Sequence, residues 1–442
     1  KSSKIYRIMT DEKRASIKFQ IAVFISGFFI LIFLAIFIYL KINADITAEE
    51  LGPSPFHIDD TFASENNDEY IAISEIGKSI IGYDEINEEF ELNLVDPQSS
   101  ILKLEEFLKK NEGIIEKLDI KLFQNCKFPK PKIDDPTREN LRDLLGLIQK
   151  RALYYILTKN LVSAKQDMLL LNTINQELMN KSTSIIYGLI WLLSKNNELK
   201  NIKLLINANY FTIEQKIEIL NIAHPKITSQ FIKPIAHFEI EYFHWSMQEL
   251  CNNNSSQEHM FSGAAYYPIL TPFYCQPNKS AMLYREMMFE ILTQVDASDY
   301  IAYQKLNYKT NFNPNYRHLV LANFGGKLSI TISKPAFQLF AGKLLSYNNM
   351  CQQLTVAHKL ILHKSTAGFL PNSLEELNLE KKLYTDIYTG DSFLYSSQNG
   401  VLQSVGKDKT SSNIELFETA LTTEQIETII ADDLKDFTLY LK

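Results

Sequence analysis

Residues 19–40 form an apolar run of 22 residues, broken only by Gln20, Ser26 and Gly27, and this run limits what the chain can become more than any other feature. As a helix rising 1.5 Å per residue it is about 33 Å long, enough to cross a hydrocarbon core of roughly 30 Å. A helix buried in a soluble core is rarely apolar on every side over such a length. A cleaved signal peptide uses a shorter apolar stretch, about 7–15 residues. The expectation is an uncleaved transmembrane helix with lipid contact through residues 19–40.

Charge orients that helix. Residues 1–18 carry Lys1, Lys4, Arg7, Lys13, Arg14 and Lys18 against Asp11 and Glu12, a net of +4, so the rest of the chain sums to −11. The flank beyond Lys41 is acidic, with Asp45, Glu49 and Glu50. The positive-inside rule places the basic tail in the cytoplasm and the bulk of the chain in the periplasm, as a single-pass protein of the bacterial inner membrane. On this reading the 18 residues before the run are expected to hold no signalling domain, which disfavours a ligand sensor. The overall net charge of −7 argues against nucleic acid as the main partner. With 45% hydrophobic and 22% charged residues the chain is expected to be neither disordered nor polytopic.

The predicted fold class is mainly α: a transmembrane helix (19–41), an acidic stalk (42–98), an antiparallel helical array (99–345) and a small C-terminal α+β module (346–442). The stalk is expected to be partly extended, with short strands near Tyr70–Ile73 and Phe90–Val95. Beyond it, Ile101, Leu104, Leu108, Ile115 and Leu118 share one helical side, and Asp135-Pro136 opens a helix with Leu141, Leu144, Leu145, Ile148, Ala152 and Ile156 at the 3.6 period. Further helices are expected at 161–180, 182–196, 212–223, 228–250 and 279–296, the third of these opened by a Thr212/Gln215 capping box. No fixed repeat period is present. In the last hundred residues a helix over 346–364 carries a stripe of Leu354, Ala357, Leu360 and Ile361. Ser373 and Glu376 form a second capping box, and Asn399-Gly400 predicts a two-residue hairpin turn between 393–396 and 401–405. A helix opening at Thr422 and a closing strand over 436–441 complete the module.

These C-terminal residues carry a resemblance. Phe369-Leu-Pro-Asn-Ser-Leu-Glu-Glu-Leu377, Asp386-Ile-Tyr-Thr-Gly390, Phe393-Leu-Tyr395 and Gln403-Ser-Val-Gly-Lys-Asp408 resemble a module of single-pass bacterial envelope proteins abundant in planctomycetes. That module is similar to the globular end of the major pseudopilin of type II secretion. Asn323-Phe-Gly-Gly-Lys327, Arg151-Ala-Leu-Tyr154 and Ala164-Lys-Gln-Asp167 resemble other parts of the same envelope proteins. The sequence departs from the pattern at Ile387, Gln403 and Lys409, where Pro, Tyr and Gly are usual. The resemblance implies a calcium loop with Asp386 and Asp408 as carboxylates and Asp391 nearby; calcium needs about six oxygen ligands and the opening glycine is missing, and turn-forming and capping roles are the alternative for these carboxylates. The chain is not itself a pilin: Gly27 lies inside the apolar run and position 32 is Ile, not Glu.

Catalytic motifs are sparse. No G-x-S-x-G, H-E-x-x-H or Walker A sequence occurs. His237, Glu241 and His244 stand at i, i+4 and i+7 of one predicted helix, a spacing that suits zinc, and equally suits hydrogen-bonded histidines on a half-buried face. The aromatic segment Tyr266–Tyr274 is either a cleft lining or a packed loop. Glu105-Glu106 and Glu375-Glu376 read as solvated helix charges. Cys251 and Cys275 bracket a loop of 23 residues whose closure by a disulfide would contribute about 3 kcal/mol. Together these readings favour an interaction or scaffold protein of the envelope with a protein partner. The alternative is an envelope hydrolase acting on glycan or peptide.

Overall fold

The structure, a computed structural model, describes residues 26–36, 45, 47–52, 68–89, 97–126, 137–181, 184–208, 211–222, 227, 229–252, 276–298, 300–305, 323–406 and 437–441. It is mainly helical with one small antiparallel sheet. The chain divides into two compact units. One comprises Lys1–Gly52, Tyr242–Tyr284 and Thr310–Ile332, and the other Pro53–Glu241, Arg285–Lys309 and Ser333–Lys442.

In the first unit, residues 26–36 are helical (α1) and the short helix α2 (Ala48–Leu51) follows. The acidic flank is used structurally here. Thr47 and Glu50 form a reciprocal capping box, with Thr47 N–H donating to Glu50 Oε2 at 2.6 Å and Glu50 N–H to Thr47 Oγ1 at 3.1 Å.

The second unit begins within the stretch expected to be a stalk. Helices α3 (Asp68–Lys78) and α4 (Tyr83–Glu89) replace the extended chain predicted there, and Tyr70–Ile73 is helix, not strand. The buried positions of α3 are Tyr70, Ile73, Ser74 and Gly77, at i, i+3, i+4 and i+7, which is one face of a helix and not the alternation of a strand. Phe90–Val95 lies outside the described residues. The Tyr70 hydroxyl meets that of Tyr187 at 2.6 Å, and the two rings are edge to face. Gly77 lets α3 approach the next layer closely, since a Cβ there would lie 2.1 Å from the Asn140 carbonyl oxygen.

Helix α5 (Pro97–Lys110) and the short α6 (Ile120–Asn125) lead to α7 (Thr137–Leu157), whose predicted stripe Leu141, Leu144, Leu145, Ile148, Ala152 and Ile156 is buried throughout. Helix α7 packs against α3, α5, α8 (Leu161–Lys181) and α9 (Ile185–Asn207). It stops at Lys159, a left-handed residue at φ 62°, with the Asn160 N–H returning to the Tyr155 carbonyl at 2.8 Å. Arg151 on α7 then clamps the buried Asp167 on α8 through Nε (2.8 Å) and Nη2 (2.5 Å). A two-pronged guanidinium–carboxylate pair fixes the register of this helical hairpin.

The Thr212/Gln215 capping box forms as expected at α10 (Ile213–Leu220). Helices α11 (Ser229–Asn252), α12 (Pro277–Ala297) and α13 (Tyr300–Lys305) follow. Helix α14 runs Phe324–Ala367, so it starts well before residue 346 and contains Pro335. Its predicted stripe Leu354, Ala357, Leu360 and Ile361 is buried. Strands β1 (Leu394–Ser396), β2 (Val401–Ser404) and β3 (Phe437–Tyr440) pair antiparallel in that order, with Ser396 opposite Val401 and Leu402 opposite Leu439. The hairpin is present, but its loop has four residues, 397–400. The Gly400 N–H bonds the Ser396 carbonyl at 2.8 Å, and Gly400 alone takes a positive φ, of 69°. Ser373 makes no side-chain cap; Glu376 instead accepts the Asn372 N–H at 3.1 Å, and the segment is a short 3-10 turn over Leu374–Leu377. The helix expected at Thr422 lies outside the described residues.

Replacing Gly77 with Ala should lower the unfolding free energy by about 1–3 kcal/mol through overpacking against Asn140, read as an earlier urea midpoint. An unchanged midpoint would show that α3 is not held against α7.

Candidate functional site

A cluster of buried polar side chains in the second unit lies on α14. Asn348, Asn349, Gln352 and Gln353 are all buried, and each side-chain amide reaches a different piece of chain. Asn348 pairs with Ile227 like a neighbouring strand, accepting its N–H and donating to its carbonyl, both at 2.8 Å. Asn349 donates to Ser404 Oγ (2.8 Å) and Asp386 Oδ1 (3.3 Å) and accepts the Ile387 N–H (3.2 Å). Gln352 donates to the Lys382 and Thr385 carbonyls at 2.5 and 2.8 Å. Gln353 donates to the Leu402 and Phe437 carbonyls at 3.0 and 2.5 Å, and so ties β2 and β3 to the helix.

Asp386, one of the two predicted calcium carboxylates, sits in this web and is 1% exposed. Its Oδ1 accepts the Tyr388 N–H (3.0 Å) and the Asn349 amide; its Oδ2 accepts Ser404 Oγ (2.9 Å) and the Val405 N–H (3.0 Å). Four donors occupy about four lone-pair positions, so a calcium ion would have to displace them. Burial pushes the Asp386 carboxyl above the usual carboxylate range, opposed by those donors. The Asp386–Gly390 segment closes on itself, with the Gly390 N–H on the Asp386 carbonyl at 2.8 Å and φ 82° at Gly390. Asp391 contributes its backbone carbonyl, which accepts the Asp386 N–H at 2.7 Å. Asp408 lies outside the described residues.

A second buried set was not visible in the sequence. Lys195 and Glu198 on α9 are 2% and 0% exposed and pair at 2.8 Å. Lys195 Nζ also donates to Asn172 Oδ1 at 2.7 Å, and Asn175 Nδ2 reaches Glu198 Oε2 at 3.5 Å. Burial pushes the Glu198 carboxyl up, against the attraction of Lys195. Nearby, Tyr347 meets Trp191 edge to face, and burial raises the Cys351 thiol to about 12. The Cys126 thiol is likewise pushed up to about 12 by burial, which disfavours the thiolate at these two positions. Lys150 and Lys216 are lowered to about 8 by burial and by the neighbouring charges of Lys200 and Lys364.

The predicted zinc residues share helix α11. Glu241 Oε1 lies 3.8 Å from Arg285 Nη2, and His244 Nε2 lies 2.7 Å from Asn278 Oδ1. His237 is half-buried and has an interaction of its own. Among the described residues, no three His, Cys, Asp or Glu side chains converge as metal ligands. The bridge expected between Cys251 and Cys275 and the aromatic segment 266–274 lie outside the described side chains. A small apolar crevice between Met179, Trp191, Ile227, Ile235, Phe340 and Leu344 has room for about one water molecule at most.

The described part of the apolar run differs from the rest. In α1, Phe28, Phe29, Ile30, Leu31, Phe33 and Leu34 are each more than half exposed, and no other consecutive stretch among the described residues exposes its large apolar side chains in this way. Among the described residues no helix is long and apolar enough to cross a membrane; eleven residues of the run, 26–36, are described. Just beyond the run, Asp45 caps α12 from afar: its Oδ1 accepts the Lys279 N–H at 2.8 Å and its Oδ2 the Asn278 N–H at 3.0 Å. A carboxylate on the first free N–H groups of a helix is a favourable placement.

Three substitutions test these assignments. Asp386→Ala should strand four buried donors and cost at least about 3 kcal/mol, while calcium or a chelator leaves the wild-type melting point in place. Lys195→Met should cost about 3–5 kcal/mol by leaving Glu198 buried without its cation, and adding Glu198→Leu should recover most of that loss. Denaturant titration of the single and double variants reads both effects. No protein-family profile, no curated protein and no solved structure matches this chain.

Proposed function

We propose that the protein is a membrane-anchored interaction or scaffold component of the bacterial envelope, held in the inner membrane by residues 19–40 with its bulk on the periplasmic side. The observation that carries this reading is the exposed apolar surface of α1, which continues in sequence into a run long enough to span a bilayer. The basic tail before it and the acidic residues after it support the orientation. Asp386, Lys195, Glu198 and the α14 amides are buried and make internal hydrogen bonds, which favours a partner-binding role over chemistry at those positions. The pseudopilin-like pattern of residues 369–408 extends the proposal to secretion or pilus-like machinery as the setting, a step that rests on resemblance alone.

Expressed in a bacterium, the full chain should stay in the membrane fraction after alkaline extraction. Phe29→Arg with Phe33→Arg should release it, because an arginine near the centre of a span costs about 2.5–3.5 kcal/mol. A reporter active only outside the cytoplasm, fused after Lys442, should be active. Activity of a cytoplasm-only reporter at that position would overturn the orientation.

A further inference from the structure

In the first unit, α11 has two contrasting faces beyond residue 241. Phe243 stacks flat on Tyr284, with ring centroids 4.3 Å apart and planes 7° from parallel, and Met247 is buried. Tyr242 and Trp245, at i and i+3, point the other way, are 41% and 54% exposed, and lie 5.8 Å apart as a ring pair. Tyr and Trp join a large apolar body to one polar handle, which suits them to a boundary between apolar and wet surroundings.

A short tether fixes where this face is. Asp45 is hydrogen-bonded to the first turn of α12 through Asn278 and Lys279, and Asn278 Oδ1 bonds the ring of His244, the neighbour of Trp245. Leu40, the last residue of the apolar run, precedes Asp45 by five residues, at most about 18 Å of chain. The end of the run therefore cannot leave the vicinity of the Asp45–Asn278–His244 junction. We infer that the Tyr242–Trp245 face of α11 rests in the headgroup region of the bilayer as an interfacial aromatic anchor. The inference builds on the reading of residues 19–40 as a membrane anchor, and its occupant is lipid, not a second protein.

The test uses the full chain reconstituted into phosphatidylcholine vesicles brominated either high or deep in the acyl chain. The chain holds two tryptophans, and Trp191 is buried in the core, so the emission lost in Trp245→Phe isolates Trp245. That component should lose more than half of its intensity with the shallow bromines and much less with the deep ones. If the chain floats with the vesicles but Trp245 responds to neither lipid, this inference falls and the anchor stands, with the aromatic face left for a protein partner. If the chain does not float with the vesicles at all, both readings fall together.

Discussion

Four buried amides on α14 are the joints on which the second unit depends. A side-chain amide offers donors and an acceptor without net charge, so it can pair with peptide groups inside a core where an ion would be costly. Asn348, Asn349, Gln352 and Gln353 use this property to bind residue 227, the Asp386 turn, the 382–385 segment and strands β2 and β3 to one helix. Each bond is worth only about 1 kcal/mol net, but an unmet buried partner costs about 1–3 kcal/mol, so the web specifies one arrangement by penalising the others. The same device recurs twice. Asn111 brackets Ile81 through its N–H and carbonyl, and Asn207 accepts the Tyr440 N–H and donates to the Thr438 carbonyl, covering the outer edge of β3.

Buried charge follows the same logic. Asp167 meets Arg151 in a two-pronged pair, Glu198 meets Lys195, and Asp386 meets four neutral donors. Glu239 on α11 accepts the Ile185 N–H at 2.9 Å and so caps α9 where Ser184 makes no side-chain bond. Every one of these groups holds two segments together. That leaves surfaces, above all the apolar face of α1, as the features that point outward, and the proposed role in the envelope rests on them.

The helical stripe of α7 and the capping box of α10 were readable because both are local: a 3.6-residue period and a three-residue spacing need no partner to be recognised. The structure departs from the local sequence signals at several points. Tyr70–Ile73 looks strand-like in isolation, yet Gly77 and Tyr70 share a helical face that only the contact with Asn140 and Tyr187 reveals. Asn399-Gly400 signals a tight turn, but the pairing of Ser396 with Val401 leaves four residues to close, and only Gly400 takes the left-handed conformation. The helix expected over 346–364 starts at Phe324 and continues through Pro335. Of the candidate site residues, Asp386 was legible as a turn carboxylate, while its buried partners Asn349 and Ser404 carried no periodic signal.

The sequence by itself determined the apolar run, the asymmetry of charge around it and the periodic faces of the helices, since all three are properties of neighbouring residues along the chain. Tertiary structure decided what the polar residues do. Asp45 and α12 are more than two hundred residues apart, as are Asn207 and β3, and nothing in their spacing announces a hydrogen bond. Such pairings depend on which surfaces the helices bury against one another, and a buried polar group takes whatever partner that packing brings within reach.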